Sequence, residues 1–170
     1  MSHHPADEHK AHAPNSIGCM VVTCSDTRTP ETDTSGQLIR KLLEERGHTA
    51  VGYHVVKDDP AQIQLWIARG TANETVQAII INGGTGIAQR DSTFEAVDGI
   101  LEKRLDGFGE IFRLLTYQEI GSSAIMSRAT AGIIDGRVLF SVPGSEHAVR
   151  LAMEKLILPE LGHLVRELTK

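Results

Sequence analysis

Aromatic side chains are scarce in this sequence, at 4% of its residues, although 41% of the chain is hydrophobic. Any core must therefore be aliphatic, built from Ile, Leu, Val and Ala. Basic residues are not in excess either. Seventeen Lys and Arg face 22 Asp and Glu, giving a formal net charge of −5. That balance argues against general nucleic-acid binding, which needs a basic footprint. It leaves room for small anionic ligands, because local arginines can override a weak overall charge. No window approaches the ~18 apolar residues of a membrane span. The N-terminal stretch lacks the apolar segment of a secretory signal, so a cytoplasmic location is expected. Only two cysteines occur, Cys19 and Cys24. They fall in one apolar run, an odd number of positions apart, so a strand would point them to opposite faces. Two separate buried thiols in a reduced compartment are expected, rather than a disulfide or a shared metal.

The rest of the chain is rich in alternating strand and helix signals. Residues 1–15 are polar, carry His3, His4, His9 and His12, and show no apolar period. A disordered tail is expected there, because nothing in the segment would fix metal-ligand geometry. Residues 16–170 read as one domain, a length usual for a single core. Ile17–Cys24, Ala50–Val56 and Ala78–Ile81 are apolar runs of strand length. Thr34 and Gln37 fit a capping box opening a helix with Leu38, Ile39, Leu42 and Leu43 on one stripe. Asp59-Pro60 opens a second helix, with proline at its first position, reaching about Arg69. Ser92 and Glu95 fit a further capping box, with Phe94, Val97 and Leu101 on its stripe. A helical segment over Gly107–Ile120 follows. Asp135-Gly136 marks a hairpin between Ala131–Ile134 and Val138–Val142. Pro143-Gly144-Ser145 opens another helix, and a last one runs from Pro159 to Leu168. This alternation predicts a three-layer α/β/α fold with a mostly parallel sheet and one antiparallel strand from the C-terminal hairpin.

Ligands of such sheets bind beyond the carboxyl ends of the strands. Those ends are the loops around Ser25–Arg28, Lys57–Asp59, Asn82–Asp91 and Pro143–Ser145. The third reads "NGGTGIAQRD". It is no P-loop, since Gly-Lys-Ser/Thr is missing. It is no dinucleotide fingerprint, since Gln89 stands where a third small residue belongs. What remains is a glycine turn with bare amides, the Thr85 hydroxyl and Arg90, a combination suited to phosphate. Asp58 and Asp91 each precede an assigned helix cap, Asp59 and Ser92. The pattern therefore leaves both carboxylates free beside helix N-termini. Two uses stand open. Together they suit Mg²⁺ bound with a nucleotide phosphate; alternatively, each only favours its helix dipole, an effect of about 0.3–1 kcal/mol. Arg113, Arg128 and Lys57 are weaker signals, and Arg113 and Arg128 fit surface or salt-bridge roles. His54 fits a partnered strand residue and His147 a solvent-facing one.

The ordered set "NGGTGIAQRDSTFEA", "GFGEIFR", "IGSSAIMSRATAG" and "VPGSEHA" resembles the MoaB/MogA family of molybdenum cofactor biosynthesis proteins, over about Ile17 to Leu168. "EIGSSAIMSRA" is closer to the MoaB branch. The resemblance implies binding of molybdopterin and, in active members, Mg²⁺-dependent adenylylation of its terminal phosphate by ATP, with release of pyrophosphate. It implies functional aspartates at Asp58 and Asp91, shared between catalysis and the metal. It implies a glycine loop at Gly83, Gly84, Thr85 and Gly86, a second ligand turn at Pro143, Gly144 and Ser145, and a Ser-Asp pair at Ser25 and Asp26. Arg90 is the candidate for offsetting charge. A homo-oligomer, trimeric or hexameric, is implied, and docking of a metal-insertion protein is left open. Two other readings stand beside it: a non-catalytic molybdopterin scaffold or carrier, and a nucleotide-binding domain with a different substrate.

Overall fold

A computed structural model describes residues 14–170. Most of the polar tail and all four of its histidines lie outside the described residues. Six strands form one sheet: β1 (Gly18–Cys24), β2 (Thr49–Val56), β3 (Ala78–Asn82), β4 (Lys103–Arg104), β5 (Thr130–Ile134) and β6 (Arg137–Val142), in the order β2-β1-β3-β6-β5-β4. The helices are α1 (Thr34–Glu45), α2 (Pro60–Ala72), α3 (Thr93–Asp98), α4 (Asp106–Ile120), α5 (Glu146–Ala152) and α6 (Leu158–Leu168). A 3₁₀ segment, Gly121–Met126, follows α4, and a π-turn, Met153–Ile157, joins α5 to α6. Pairing of β1 with β2, β1 with β3 and β3 with β6 is parallel, whereas β5 is antiparallel to both β6 and β4. Only β5 therefore runs against the others, as the hairpin signal required. Its turn places Asp135 at φ 45° and Gly136 at φ 68°, the double positive φ of a tight hairpin.

The runs in β1, β3 and β6 are buried on both faces, while β2 at the sheet edge is only partly covered, which makes three layers. Cys19, Val21, Ala78, Ile80 and Phe140 face one layer with Ile39 and Leu43 of α1, Phe112 of α4, Val149 of α5 and Leu161 of α6. Met20, Val22, Cys24, Ile79, Ile81 and Leu139 face the other with Ile63 and Ile67 of α2 and Val97 of α3. Each fully buried isoleucine contributes about 1.5–3 kcal/mol of transfer free energy. Cys19 and Cys24 do fall on opposite faces, as their spacing predicts. Placed apart on the two faces, they do not pair with each other, and burial pushes each thiol up to about 12.

Local details depart from the sequence pattern at several caps. Asp33, not Thr34, caps α1, its Oδ1 accepting from the Gly36 N–H at 3.0 Å. The Gln37 amide does not reach back but donates to the Pro30 carbonyl at 2.7 Å. Asp59 caps α2 as expected, accepting from the Gln62 N–H at 3.0 Å, and α2 runs on to Ala72. Ser92 makes no side-chain cap, and α3 ends at Asp98, before Leu101. The two-residue strand β4 and the 3₁₀ segment carry no apolar period and were not expected.

The chain leaves β1 for the α1 layer and leaves β3 for the α3 layer, on opposite faces of the sheet. Since β1 and β3 are neighbours, their loops part company and open a crevice at the carboxyl edge. Ligand sites of such sheets sit at this reversal point.

Candidate active site

The crevice is a cleft of about 540 Å³ lined from four loops: Cys24–Arg28 after β1, Asp58 after β2, Gly83–Gly86 with Arg90 and Asp91 after β3, and Pro143–Ser145 after β6. Ser123 and Met126 of the 3₁₀ segment and Ser127 just after it close the cleft. Every residue singled out from the sequence as a site candidate thus lines one cavity. The weaker candidates Arg113, Arg128, Lys57, His54 and His147 do not.

Glycine is required at its centre. Gly83 has φ 96°, and a Cβ there would meet the Cys24 carbonyl oxygen at 2.3 Å. Its N–H donates to the Val142 carbonyl at 3.1 Å, tying the loop to the end of β6. A Cβ on Gly144 would stand 2.9 Å from the Gly83 Cα, so the two turns touch. Gly84, at φ 62°, lies against Asp58: a Cβ there would be 2.3 Å from Asp58 Oδ2. Gly86 lies against Asp91 in the same way, at 2.5 Å from Oδ2. Two acids distant in sequence are therefore seated on glycines two residues apart.

The expectation that these acids are free is corrected. Asp58 Oδ1 accepts from the Ser92 N–H at 3.2 Å, the Ser92 hydroxyl at 2.9 Å and the Thr93 hydroxyl at 3.1 Å. The Ser92 hydroxyl turns to Asp58 rather than to its own helix, which is why the expected cap fails. Asp91 Oδ2 accepts from the Ala88 N–H at 2.9 Å and closes the turn Ala88–Asp91. Each acid nevertheless keeps one oxygen, Asp58 Oδ2 and Asp91 Oδ1, to which no described residue donates. The acids are half engaged: one oxygen fixes orientation and the other is left over. Magnesium commonly takes one or two carboxylates and completes its shell with water and phosphate oxygens. The leftover pair fits that use. Among the described residues no group of three or more His, Cys, Asp or Glu could hold a metal unaided. A metal here would rely on its ligand's oxygens as well.

The other candidates divide into framework and lining. The Ser25 hydroxyl accepts from the Thr27 and Arg28 N–H groups at 3.3 and 3.1 Å, shaping its own loop. Asp26 Oδ1 accepts from the Asp58 N–H at 3.2 Å, joining the β1 and β2 loops. Ser145 caps α5 through Ala148 at 3.2 Å. Thr85 is buried, while Arg90 is exposed and bonds to no described residue. Cys24 also lines the cleft; burial, reinforced by the Asp58 charge, raises its pKa to about 12 and keeps it a neutral thiol.

Two arginines gain roles that sequence spacing does not show. Arg128 donates from Nε to the Thr85 carbonyl at 3.0 Å and from Nη2 to the Gly86 carbonyl at 2.6 Å. It also pairs with Glu95 and sits 4.9 Å from the Phe94 ring centroid. It clamps the glycine loop onto α3. The Glu95 carboxyl is held below its usual range, chiefly by hydrogen bonding to Arg128. Arg28 is held from behind by the fully buried Asp33 at 3.4 Å, and its Nη1 also donates to the Gly144 carbonyl at 3.1 Å. The signal for Arg28 in the sequence is slight: a cation five residues before an acid that becomes a helix cap. His54 stacks on Trp66 with ring centroids 3.6 Å apart, and His147 is exposed beside Glu119.

Residues 20–163 match the family model described as "Probable molybdopterin binding domain". Molybdenum cofactor biosynthesis protein B of Halalkalibacterium halodurans is 54% identical over 165 residues, covering 96% of this chain and 97% of that protein. A crystal structure of a molybdenum cofactor biosynthesis protein B superposes with a TM-score of 0.90 at 55% identity, over 93% of this chain and 99% of that one. The tungsten cofactor synthesizing protein MoaB of Pyrococcus furiosus superposes at 0.84 with 34% identity, over 93% and 100%. With the fold, the glycine loop and both aspartates in one cleft, and with relatives matched along nearly their whole length, the chain belongs to the molybdopterin-binding domain family, on its molybdenum cofactor biosynthesis protein B (MoaB) branch.

Proposed function

We propose that this protein transfers the adenylyl group of Mg-ATP to the terminal phosphate of molybdopterin and releases pyrophosphate. The observation that carries the proposal is the seating of Asp58 and Asp91 on Gly84 and Gly86, each with one carboxylate oxygen left without a protein donor. Asp58 Oδ2 and Asp91 Oδ1 would hold the divalent ion, whose chemical contribution is to neutralise triphosphate charge. In the reaction a molybdopterin phosphate oxygen attacks the α-phosphorus of ATP. The bond from that phosphorus to the bridging oxygen breaks, and the electron pair leaves with pyrophosphate. The nucleophile is already an anion at neutral pH, so no protein base is needed. The neutral Cys24 thiol is consistent with a bystander role. Rate then comes from aligning two phosphates and offsetting their charge. The bare amides of the Gly83–Gly86 turn suit one phosphate; the Pro143–Ser145 turn, in contact with it, suits its neighbour.

Homo-oligomerisation, most simply a trimer, belongs to the same proposal. Ile111, Leu114, Tyr117 and Ile120 of α4 are 48–60% exposed, and Ile125 beside them is 87% exposed. An apolar face of this kind suits burial against another copy. No described helix is long and apolar enough to cross a membrane, and we assign the reaction to the cytoplasm, where ATP is at hand.

Purified protein given molybdopterin and Mg-ATP should release pyrophosphate in step with loss of free molybdopterin. A second reading, a binder without chemistry, draws support from the internal hydrogen bonds each acid already accepts. Tight molybdopterin binding with no pyrophosphate release would decide for that second reading.

A further inference from the structure

We infer that Arg28 is an anion-contacting residue of the cleft, aimed at a phosphate group of the bound ligand by the buried carboxylate of Asp33. This inference rests on the reading of the cleft as a phosphate-ligand site and adds to it a residue and a pre-orientation.

Asp33 is fully buried, and its two oxygens have separate tasks. Oδ2 accepts from the Tyr53 hydroxyl at 2.7 Å, and Oδ1 accepts from the Gly36 N–H at 3.0 Å. A buried carboxylate also needs a cation. Arg28 is its ion-pair partner, at 3.4 Å from Oδ1. Gly36 makes this burial feasible, since a Cβ there would stand 2.2 Å from Asp33 Oδ2. The Ser35 hydroxyl and Arg28 Nη1 converge on the Gly144 carbonyl, at 2.7 and 3.1 Å. The guanidinium is thus fixed against both the start of α1 and the turn after β6.

Both of these bonds use the one nitrogen Nη1. Arg28 Nε and Nη2 donate to no described residue, although the side chain is 31% exposed and lines the cleft. A guanidinium has five N–H groups in a planar fork. The three on Nε and Nη2 are adjacent, and that edge matches two oxygens of a phosphate. The other arginines nearby serve differently. Arg128 is committed to the Thr85 and Gly86 carbonyls and to Glu95, and Arg90 is exposed with no anchoring partner among the described residues. Arg28 is the cleft cation whose direction is set before a ligand arrives, which lowers the ordering cost of binding. The ligand chemistry is a phosphate monoester or a polyphosphate oxygen, supplied by molybdopterin or by ATP.

The test is calorimetric titration of the full-length protein with inorganic pyrophosphate, Mg-ATP and molybdopterin, for wild type, R28Q, R28K and D33N. R28Q should bind at least one probe about tenfold or more weakly, as expected for loss of a charge-assisted hydrogen bond. R28K should lose about threefold to tenfold, because it keeps the charge but not the fork. D33N keeps an oxygen for the Gly36 N–H but removes the charge that orients Arg28, and it too should weaken binding. Loss confined to molybdopterin assigns the contact to the pterin's phosphate; loss with pyrophosphate or Mg-ATP assigns it to the nucleotide. Folded R28Q that binds all three probes within about twofold of wild type overturns the inference. If R28Q fails to fold, R28K decides by the same twofold limit. Arg28-dependent binding without pyrophosphate release removes the transfer reaction and leaves this contact standing. Normal turnover with unaltered R28Q binding does the reverse.

Discussion

The two walls of the cleft use aspartate in opposite ways. On the wall formed by the β2 and β3 loops, Asp58 and Asp91 are partly open, each with one oxygen spent inside the protein and one left over. On the wall formed by the β1 and β6 loops, Asp33 is completely buried behind Arg28 and bonded through both oxygens. The first wall presents negative charge to the cleft. The second hides negative charge in order to present a positive one. The open acids turn an oxygen to the cleft, whereas the acid behind Arg28 turns both of its oxygens inward. The same side chain thus leaves a negative edge on one side of the cleft and a positive edge on the other.

Removing charge from the open wall should have the largest effect. Asp58→Asn keeps an oxygen to accept from Ser92 and Thr93 but replaces the leftover oxygen with an amide. Pyrophosphate release should fall on the order of 10²-fold or more, the usual cost of losing a preorganised electrostatic contact. Asp91→Asn should behave alike, since it keeps its bond from Ala88. In both, molybdopterin affinity measured by titration should change far less than turnover; equal losses would contradict the assigned roles. Charge removal from the hidden wall should appear in stability as well as in ligand binding. Asp33→Ala deletes a helix cap, about 1 kcal/mol, and a charge-assisted hydrogen bond, about 1.5–3 kcal/mol. Urea unfolding should therefore show a loss of about 2.5–4 kcal/mol. A loss under about 1 kcal/mol would mean that Asp33 is not the anchor described.

Gly84→Ala attacks the seat of Asp58 rather than its charge. A Cβ 2.3 Å from the carboxylate, on a backbone at φ 62°, should destabilise by about 1–2 kcal/mol and displace the leftover oxygen. Turnover should drop although both acids remain; retained turnover would show that the seat is unimportant. The smallest effect is the pH-linked part of Arg128→Gln. The Glu95 carboxyl, depressed by Arg128, should titrate nearer its ordinary 4.5. A group with a lowered folded pKa adds stability above its unfolded value and loses it as pH falls through the folded value. The part of the stability difference due to Glu95 should therefore be present above about pH 4.5 and vanish in stronger acid, at no more than about 1 kcal/mol for so exposed a pair, leaving only the pH-independent loss of the carbonyl contacts. Carbon-detected titration of Glu95 checks the sign.

Much of this architecture is legible in residue order. Apolar runs without alternation mark β1 and β3 as doubly covered, and Asp135-Gly136 marks the one reversed strand. The glycine loop stands out because three glycines in four positions exceed what a turn requires. What escaped has physical reasons. Strand β4 is two charged residues held by pairing with β5, with no periodicity of its own. The Ser92–Glu95 cap fails because distant partners compete successfully: Asp58 takes the serine hydroxyl, and Arg128 takes the glutamate. Local capping bonds are worth about 1 kcal/mol, so a charge-assisted tertiary bond can override them. Arg28 escaped because its role depends on Gly144, 116 residues away.

The order of residues by itself determined the layered sheet, the edge at which the cleft opens, and which loops reach that edge, because burial and turn formation act over a few neighbouring positions. Only the folded chain decided how each charge there is used. Whether a carboxylate is open, half engaged or hidden depends on donors from other elements and on its distance from water, and neither is encoded within any short stretch.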